Sequence, residues 1–587
     1  MFFFATPSKH GVSKANNASF NLTLVNMRLK YCLSRFWLAT SVSFYLFIPY
    51  LTRYTDKNTR FSFHWTRWDL GSLLFSIVLV GTLFFLCFVL LYVRGKIRTR
   101  KVFEISYIAI FGIVLVANIF HLGKFMIKNP PSYIIKLEFL VWFLLGIFIL
   151  LAIFKHHKKI KALCITLCFI SSPIVFLFTF NALRYQSFIS DRGSPPALSK
   201  NEYQQLTDKR NVYIFIFDEW SYQRSFNNKG LITEFKNLKQ FANQALAFHN
   251  AKSPWANTIR SISSFLFQTN LRFVMKENQM GFKGTQYHPI NQIESIFHHT
   301  QELGFYTAMI GTAIPYGELL GGSSDFCEAI SVYKRFGESF FDVAKYHLVT
   351  GLLLLPRPFF TNIRGKIAHY FFNRFQINRV NTTHELFEAI VQVQPRPTFA
   401  VFHYMIPHYP YIFNRDGHKK LFAIYQGNEV SNYYGNLAYL DRKIGEIITE
   451  LKKANKFENS LIIMTSDHSW RKDTDYRKNK LVMEKRHVPL FIKMPYQKHS
   501  IEINSKFNTY KLGSFINKYL DGEFTLAEVK PLLDKENYFT PPPLESRTTK
   551  HLPLNKELKA LGYISNGEQE SLRPPAKGCK SMPYKNQ

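Results

Sequence analysis

Acidic and histidine side chains stand where short β-favouring apolar runs begin or end in the second half of this chain. They are Asp218 and Glu219, His403, Asp467 and His468, and His487. Because the carboxyl ends of parallel strands meet at one edge of an α/β sheet, we expect these side chains to converge there. Carboxylates, imidazoles and a threonine hydroxyl together indicate a metal site, suited to Zn²⁺ or Mn²⁺, with Mg²⁺ or Ca²⁺ as alternatives.

The threonine of this set is Thr258, at the start of an amphipathic stretch. A turn is predicted by Ser253-Pro254 and Asn257, and apolar residues then recur at helical spacing to Leu266. Thr258 therefore lies in or just before the first helical turn, where unpaired backbone N–H groups and the helix dipole favour an anion. A hydroxyl held there can attack phosphorus. The alternative is that Thr258 only caps the helix, a common role of threonine.

Strand and helix patterns alternate from Asn211 onwards. The predicted strands cover residues 211–217, a short stretch near 248, and residues 305–310, 398–404, 460–465 and 488–493. The predicted helices cover residues 232–247, 258–266, 293–303 and 433–454. This alternation predicts an α/β domain with a mostly parallel central sheet sandwiched by helices.

The first third of the chain has a different composition. Five apolar blocks have the length of a bilayer-spanning helix: residues 35–51, 70–92, 103–127, 133–154 and 162–180. Lysine and arginine crowd the residues before the first block and the second and fourth loops between blocks. This bias predicts a multi-pass protein of the cytoplasmic (inner) membrane, with its N-terminus in the cytoplasm and its C-terminal half periplasmic or extracellular. Buried helices of a soluble core are the disfavoured alternative.

The composition shifts divide the 587 residues into five regions. We expect a cytoplasmic segment (1–34), a membrane domain (35–180), a linker (181–210), a catalytic domain (211–500) and a partly flexible C-terminal extension (501–587). Residues 1–26 lack an apolar region and are interpreted as a disordered extension or as lying before the natural start. Residues 340–375 form either a core helix or a segment resting on the membrane surface.

The net charge of +34 indicates anionic partners. It suits a membrane with anionic headgroups and an anionic lipid or envelope glycan as substrate, whereas five membrane segments argue against nucleic acid. The six cysteines give no disulfide framework, and no pair outside the membrane segments has the spacing of a metal site. The oligomeric state is left open.

Six motifs follow one another in the second half of the chain: residues 212–219, 257–266, 405–411, 439–447, 465–468 and 487–495. In their types and order they resemble the sulfatase branch of the alkaline phosphatase superfamily. The layout is similar to the membrane-anchored phosphotransferases of that branch, of the lipoteichoic acid synthase and phosphoethanolamine transferase type. The resemblance implies that a divalent metal is held by Asp218, Glu219, Thr258, Asp467 and His468, with Thr258 also the nucleophile.

The same resemblance implies roles for residues around the transferred group. His403, His408 and His487 are similar to the histidines that surround this group, and His408 or His487 would protonate the leaving oxygen. Anionic oxygens of the substrate would be held by arginines, for which the alternative is solvated surface charge. The candidate arginines are Arg260, Arg471 and Arg486.

One departure from sulfatases concerns the nucleophile. Sulfatases oxidise a cysteine or serine in Cys/Ser-x-Pro-x-Arg to formylglycine, whereas this chain has Thr258, with Arg260 and Ile262 replacing the proline and arginine. Threonine carries a methyl group on Cβ and cannot give that aldehyde. The sequence therefore predicts a membrane-bound, metal-dependent phosphotransferase or phosphodiesterase acting on a phospho-substituent of a cell-envelope lipid or glycan. The alternatives are a sulfatase-like hydrolase of sulfuric or phosphoric esters and a catalytically inactive membrane scaffold.

Overall fold

A computed structural model describes part of the chain in detail. The described residues are 69–94, 210–227, 230–276, 279–312, 314, 316–320, 323–330, 339–353, 377–392, 397–418, 429–471 and 486–535, with 36, 39–40, 43–44, 47 and 166. Four of the five apolar blocks lie wholly or mostly outside these residues. The C-terminal extension beyond residue 535 and the proposed extension at residues 1–26 lie outside them as well.

The chain divides into two compact units. The first unit combines Met1–Asp56 and Trp65–Ser190 with a later segment, Phe336–Ile367. Its described helices include Asp69–Arg94, which covers the second apolar block, and Phe340–Leu353. In the part of the chain that the structure describes, no helix meets the length and apolar character expected of a membrane span.

The second unit is an α/β domain, and it contains all the described strands. They are β1 (Val212–Phe217), β2 (Phe226–Asn227), β3 (Gly230–Leu231), β4 (Leu246–Phe248), β5 (Ala251–Lys252), β6 (Arg272–Lys276), β7 (Gln279–Lys283), β8 (Tyr287–Pro289), β9 (Tyr306–Thr312), β10 (Phe326–Ile330), β11 (Thr398–Tyr404), β12 (Leu461–Ser466), β13 (Leu490–Lys493), β14 (Ile501–Ile503) and β15 (Phe507–Asn508). Eight of them form one sheet in the order β10-β9-β11-β1-β12-β13-β4-β14. Only β13 runs against the others in this sheet. The predicted mostly parallel sheet is therefore confirmed.

Helices cover both faces of this sheet. The described helices of the unit are Tyr222–Ser225, Lys236–Ala242, Thr258–Leu266, Ile296–Glu302, Tyr316–Leu320, Glu429–Lys453, Leu512–Leu520 and Val529–Lys535, with residues 377–392 and the 3₁₀ turns Ile290–Gln292 and Thr509–Lys511. Alternate β1 side chains enter two different cores. Ile214 packs with Phe265 of the Thr258–Leu266 helix, and Phe215 shares the opposite core with Ile444. A strand buried on both faces reads as an unbroken apolar run, which is why β1 was visible in the sequence.

The strand register brings the chemically active strand ends together. Phe217, the last residue of β1, lies opposite Tyr404 of β11 and Ser466 of β12. The residues that follow β1 and β12 therefore emerge at one edge of the sheet. Because β13 is reversed, its first residues rather than its last lie near the end of β12, where Leu490 pairs with Thr465.

Candidate metal centre

Asp218 and Asp467 follow the adjacent strands β1 and β12, and a serine fixes how the chain turns there. The Ser466 hydroxyl donates to the Phe217 carbonyl at 2.6 Å and accepts from the Trp220 N–H at 2.9 Å. The Asp467 carboxylate accepts from the Glu219 N–H at 3.0 Å and from the His468 N–H at 2.7 Å. The turns after both strands are therefore tied to each other through side chains of the β12 end.

Asp218, Asp467 and His468 form a compact cluster of ligand groups. One donor atom from each lies within 4.8 Å of the other two. His468 Nε2 is 3.2 Å from Asp467 Oδ2 and 4.0 Å from Asp218 Oδ1, and the three side chains are essentially buried. Two carboxylates and an imidazole at this spacing can surround one divalent cation of the oxygen- and nitrogen-binding class.

Thr258 is the first residue of the Thr258–Leu266 helix, and its hydroxyl reaches the cluster. Thr258 Oγ1 is 3.3 Å from His468 Nε2. The helix is capped by Asn257, whose side-chain oxygen accepts from the Arg260 N–H at 3.2 Å. Because Asn257 is the cap, the capping alternative for Thr258 does not hold, and the Thr258 hydroxyl is in contact with His468.

The electrostatics of the cluster favour binding of a cation. Burial, with the Asp467 and Glu219 charges, raises the pKa of Asp218 well above its ordinary value of 3.8. Burial alone would also raise the pKa of Asp467, but His468 and His403 outweigh it and the pKa is lowered. Burial lowers the pKa of His468, which keeps its imidazole neutral and able to ligate. Two carboxylates held this close repel each other when both are ionised, and a bound cation would relieve this repulsion.

The hydrogen bonds of the cluster test whether the residues fit a metal. Within the described part of the chain, Asp218 Oδ1, Asp467 Oδ2 and Glu219 Oε2 are buried and make no hydrogen bond, although His468 Nε2 lies 3.2 Å from Asp467 Oδ2. Buried carboxylate oxygens without donors are costly unless an ion satisfies them. Together with the neutral imidazole of His468, they fit a divalent cation.

Glu219, the fifth residue assigned to the metal by resemblance, makes a different contact. Its Oε1 accepts from Arg471 Nε at 2.7 Å, and its backbone adopts a left-handed conformation with φ 65°. The Tyr433 hydroxyl donates to the Glu219 carbonyl at 2.6 Å and holds this conformation. Burial would raise the Glu219 pKa, but His408 and Arg471 outweigh it, so the pKa is lowered and the carboxylate is ionised. Glu219 is thus adjacent to the cluster and paired with a guanidinium.

His403 and His408 lie on the β11 side of the cluster. His403 Nε2 is 3.9 Å from Asp218 Oδ2, and its Nδ1 shares a hydrogen bond of 2.7 Å with the Tyr316 hydroxyl. Burial lowers the pKa of His403 to about 4, so this ring is neutral. His408 Nε2 is 3.3 Å from an Arg471 nitrogen, and its Nδ1 is 2.6 Å from the Tyr409 carbonyl. Both imidazoles therefore face groups that contact the cluster.

The two arginines assigned to substrate binding flank a tryptophan. The Arg260 guanidinium lies 5.3 Å from the Trp255 ring centre, and that of Arg486 lies 5.8 Å from it. Arg486 is only 1% exposed and donates to the Pro254 carbonyl at 3.2 Å. The contacts of Arg486 therefore tie β13 to the loop that precedes Thr258.

His487, the other candidate acid, has both ring nitrogens engaged. Its Nδ1 is 2.6 Å from Gln223 Nε2, its Nε2 donates to the His249 carbonyl at 2.8 Å, and its ring stacks on Tyr222 at 4.0 Å. These contacts hold the ring in place between β4 and β13. Of the two candidates for the acid, His408 is the one in contact with the Glu219–Arg471 pair.

Two features of this region were not predicted from the sequence: the role of Tyr316 and the pairing of Arg471. Tyr316 is completely buried in a short helix after β9, and no local pattern connects it with His403. Arg471 stands three residues after His468, so its closeness to the site could be predicted from the sequence. Its pairing with Glu219 could not be predicted, because a pattern along the chain does not record contacts between distant side chains.

Comparison with known proteins identifies the family of this unit. A family model described as Sulfatase matches residues 210–512. Lipoteichoic acid synthase 1 of Bacillus subtilis (strain 168) is 25% identical over 198 residues. That match covers 31% of this chain and only 27% of the relative.

The solved structures that match this chain have low sequence identity to it. Ps i-CgsB matches with a TM-score of 0.40 and 14% identity, over 56% of this chain and 77% of its own. The lipoteichoic acid synthase LtaP from Listeria monocytogenes matches with a TM-score of 0.35 and 15% identity, over 55% and 75%.

Proposed function

Because the chain belongs to the sulfatase family, we propose that it is a metal-dependent phosphotransferase or phosphodiesterase that uses Thr258 as its nucleophile. The observation that carries this proposal is the 3.3 Å separation between Thr258 Oγ1 and His468 Nε2, beside two buried carboxylates. A hydroxyl at the start of a helix and at the edge of a cation site is placed for attack on an anionic phosphorus centre.

Asp218, Asp467 and His468 would hold the cation, with the Thr258 oxygen beside them. A divalent ion held there would lower the pKa of the Thr258 hydroxyl and would offset the charge on the non-bridging phosphate oxygens. Zn²⁺ or Mn²⁺ suits this mixed set of oxygen and nitrogen donors, and Mg²⁺ or Ca²⁺ are the alternatives. Glu219 could ligate the cation only if its carboxylate gave up the hydrogen bond from Arg471.

The chain's own residues account for the movement of protons. Thr258 Oγ1 would lose its proton to solvent when the cation binds, and its alkoxide then forms a bond to phosphorus as the bond to the leaving-group oxygen breaks. Arg471 donates to His408 Nε2, so this contact opens before His408, as an imidazolium, gives its proton to that oxygen. In the second step an acceptor hydroxyl, or water, returns a proton to His408 and displaces Thr258 from phosphorus. An alcohol acceptor makes the reaction a transfer, and water makes it a hydrolysis.

The apolar blocks of the first unit and the net charge support a proposal for the substrate and the location. The five apolar blocks and their basic loops support a multi-pass protein of the cytoplasmic membrane with its α/β unit outside. A net charge of +34 suits an anionic lipid or envelope glycan as substrate. We therefore place the reaction at the outer surface of that membrane, on a phosphodiester-containing envelope component.

Mass spectrometry of the full chain after incubation with an envelope lipid extract tests the nucleophile. The expected result is a phosphate-containing adduct on the peptide that carries Thr258, absent in Thr258→Ala. Ser263→Ala is a matched control, since Ser263 is a buried hydroxyl of the same helix outside the cluster. An adduct that survives in Thr258→Ala contradicts the proposed nucleophile.

Chromogenic esters separate the reaction classes. We expect turnover of bis-p-nitrophenyl phosphate above that of p-nitrophenyl phosphate and of p-nitrophenyl sulfate. Preferred turnover of the sulfate ester would instead support a sulfatase-like hydrolase. Absence of turnover of any ester, with the cation bound, would support an inactive scaffold.

A further inference from the structure

Large apolar side chains are exposed almost entirely on two helices of the first unit. In the described residues, six of the seven exposed side chains of this kind belong to Asp69–Arg94 or Phe340–Leu353: Phe75, Val78, Leu83, Leu86, Leu90 and Phe341. The seventh, Tyr496, belongs to the α/β unit. An apolar surface concentrated in this way marks a contact with something other than water.

The inward face of the Asp69–Arg94 helix combines the apolar residues Leu73 and Ile77 with small and hydroxyl-bearing residues. Ser72 and Ser76 are completely buried, and the Ser76 hydroxyl donates to the Ser72 carbonyl at 2.7 Å. A Cβ atom on Gly81 would lie 2.8 Å from Thr40 Cα, so glycine permits a close approach of the two backbones. Small and hydroxyl-bearing residues between helices, with large apolar residues outside, are typical of helices surrounded by lipid. A water-soluble helix has the reverse arrangement.

The Phe340–Leu353 helix packs against the first two turns of the Asp69–Arg94 helix. The Ser76 hydroxyl also donates to the Ala344 carbonyl at 3.1 Å, and the Phe340 ring lies 5.5 Å from that of Phe75. Val343 and Ala344 are buried in the contact. Phe341, which also touches Phe75 at 6.1 Å, nevertheless remains 71% exposed. The helix thus buries one side and presents a phenyl ring on the other.

The exposed face of the Phe340–Leu353 helix also carries a cation, which is typical of the boundary region of a bilayer. Lys345 follows Phe341 by one helical turn and is also exposed. An apolar ring beside a long basic side chain suits the boundary between acyl chains and headgroups, since lysine reaches the phosphates while its stem stays in apolar surroundings. Three further basic residues follow in the sequence, Arg357, Arg364 and Lys366.

The end of the helix at which the contact occurs agrees with this location. Phe340 and Ala344 meet Phe75 and Ser76, near Asp69, where the helix begins. The distribution of basic loops places the residues before Asp69 outside the membrane, on the side proposed for the α/β unit. The contact therefore belongs to the outer leaflet.

We propose that the Phe340–Leu353 helix is a lipid-contacting element of the outer leaflet, with Phe341 among the acyl chains and Lys345 at the headgroup phosphates. This inference rests on the membrane location given under the proposed function. The chain leaves the α/β unit after β10, forms this element, and returns to supply β11, whose end carries His403 and leads to His408. A segment inserted within the catalytic sequence itself thus contacts the lipid in which a lipid donor resides.

Photochemical labelling by lipid tests the contact without requiring activity. The full chain is reconstituted in vesicles of phosphatidylethanolamine and phosphatidylglycerol that contain a phospholipid with a diazirine in its acyl chain. After irradiation, peptide mass spectrometry should find label on the Phe341 peptide and on the Leu83–Leu90 peptide. The Tyr496 peptide, 57% exposed in the α/β unit, is the matched control and should carry at least about tenfold less label.

The outcomes separate the two proposals. Label on the Leu83–Leu90 peptide but not on the Phe341 peptide overturns this inference and leaves the membrane location intact. No label on either peptide contradicts the membrane location itself. Phe341→Asp should lower labelling of its peptide by about tenfold, because a carboxylate is poorly accepted by hydrocarbon.

A kinetic comparison with the same variant tests the functional consequence. Phe341→Asp should lower kcat/KM for a phosphodiester lipid in vesicles, while kcat/KM for soluble bis-p-nitrophenyl phosphate stays unchanged. Retained soluble-ester turnover shows that the variant is folded. Unchanged turnover of the vesicle lipid would overturn a role for this helix in reaching lipid substrates.

Discussion

Replacing Asp218 by asparagine should stabilise the metal-free protein while removing its response to metal. The Asp218, Asp467 and His468 donor atoms lie within 4.8 Å of one another. Two unit charges at that distance repel by about 3.5 kcal/mol at an effective dielectric constant of about 20. Partial protonation of Asp218 already relieves some of this repulsion, so we expect a gain of about 2 kcal/mol in the free energy of unfolding.

The pH dependence gives the sign of the effect. The folded-state pKa of Asp218 is raised above its ordinary value of 3.8. Such a carboxyl group contributes stability that is fully present below pH 3.8 and is lost as the pH rises through the folded-state pKa. The metal-free wild type should therefore lose stability relative to Asp218→Asn as the pH rises from about 4. With metal bound, the wild type should be the more stable protein.

Thermal unfolding of the full chain, followed by tryptophan fluorescence with EDTA or with Mn²⁺ or Zn²⁺, measures these differences. Asp441→Asn is the control, because the Asp441 carboxylate is buried but accepts from Leu238 N at 2.8 Å and from Asn237 Nδ2 at 2.9 Å. That variant should lose about 1–3 kcal/mol, since an amide group would face N–H donors. Two results would refute the cluster as a cation site. One is a metal-free Asp218→Asn variant that is less stable than the metal-free wild type, and the other is a wild-type Tm that EDTA does not change.

Variants at three further positions test other parts of the structure. Lys493→Met should raise stability at neutral pH by about 2 kcal/mol, because burial lowers the lysine pKa to about 8. In denaturant titrations the free energy of unfolding of the wild type should approach that of the variant as the pH rises from 8 to 10.5, because the folded protein then holds the lysine neutral. Thr258→Ser should keep the covalent adduct at position 258, whereas Thr258→Ala should lower turnover on the order of 10³-fold in ester assays. Tyr316→Phe should lower kcat by about tenfold with unchanged metal content by elemental analysis, because it removes only the contact that orients His403.

Much of the fold was predictable because burial on two faces leaves a signal in the sequence. β11, Thr398–Tyr404, was predicted with its observed bounds, and β12 was displaced by one residue. The helix predicted over residues 232–247 is wrong in its length. It is shortened to Lys236–Ala242, because Leu246–Phe248 pairs as β4 with β13 and β14. Pairing between distant strands decides such bounds, and a local pattern does not contain it.

The candidate site was predictable to the extent that its residues stand at strand ends. Asp218, Asp467 and His468 meet because Phe217 and Ser466 are in register. The Glu219–Arg471 pair and the Tyr316–His403 contact were not predictable. Each joins side chains far apart in the sequence, and many alternative pairings satisfy the same composition. The sequence predicts which side chains lie at this edge of the sheet, whereas their contacts with one another depend on the folded structure.

The charges brought together at this edge indicate what kind of ester the centre can accept. Asp218, Asp467 and Glu219 contribute three negative charges, and Arg471, only 39% exposed and paired with Glu219, offsets one. His403 and His468 are kept neutral by burial and offset none. One divalent cation would therefore bring these groups to neutrality before Thr258 loses its proton, and the imidazolium proposed for His408 would add one positive charge. A phosphodiester adds one negative charge and a phosphomonoester two, so with a single cation the diester is the better electrostatic match.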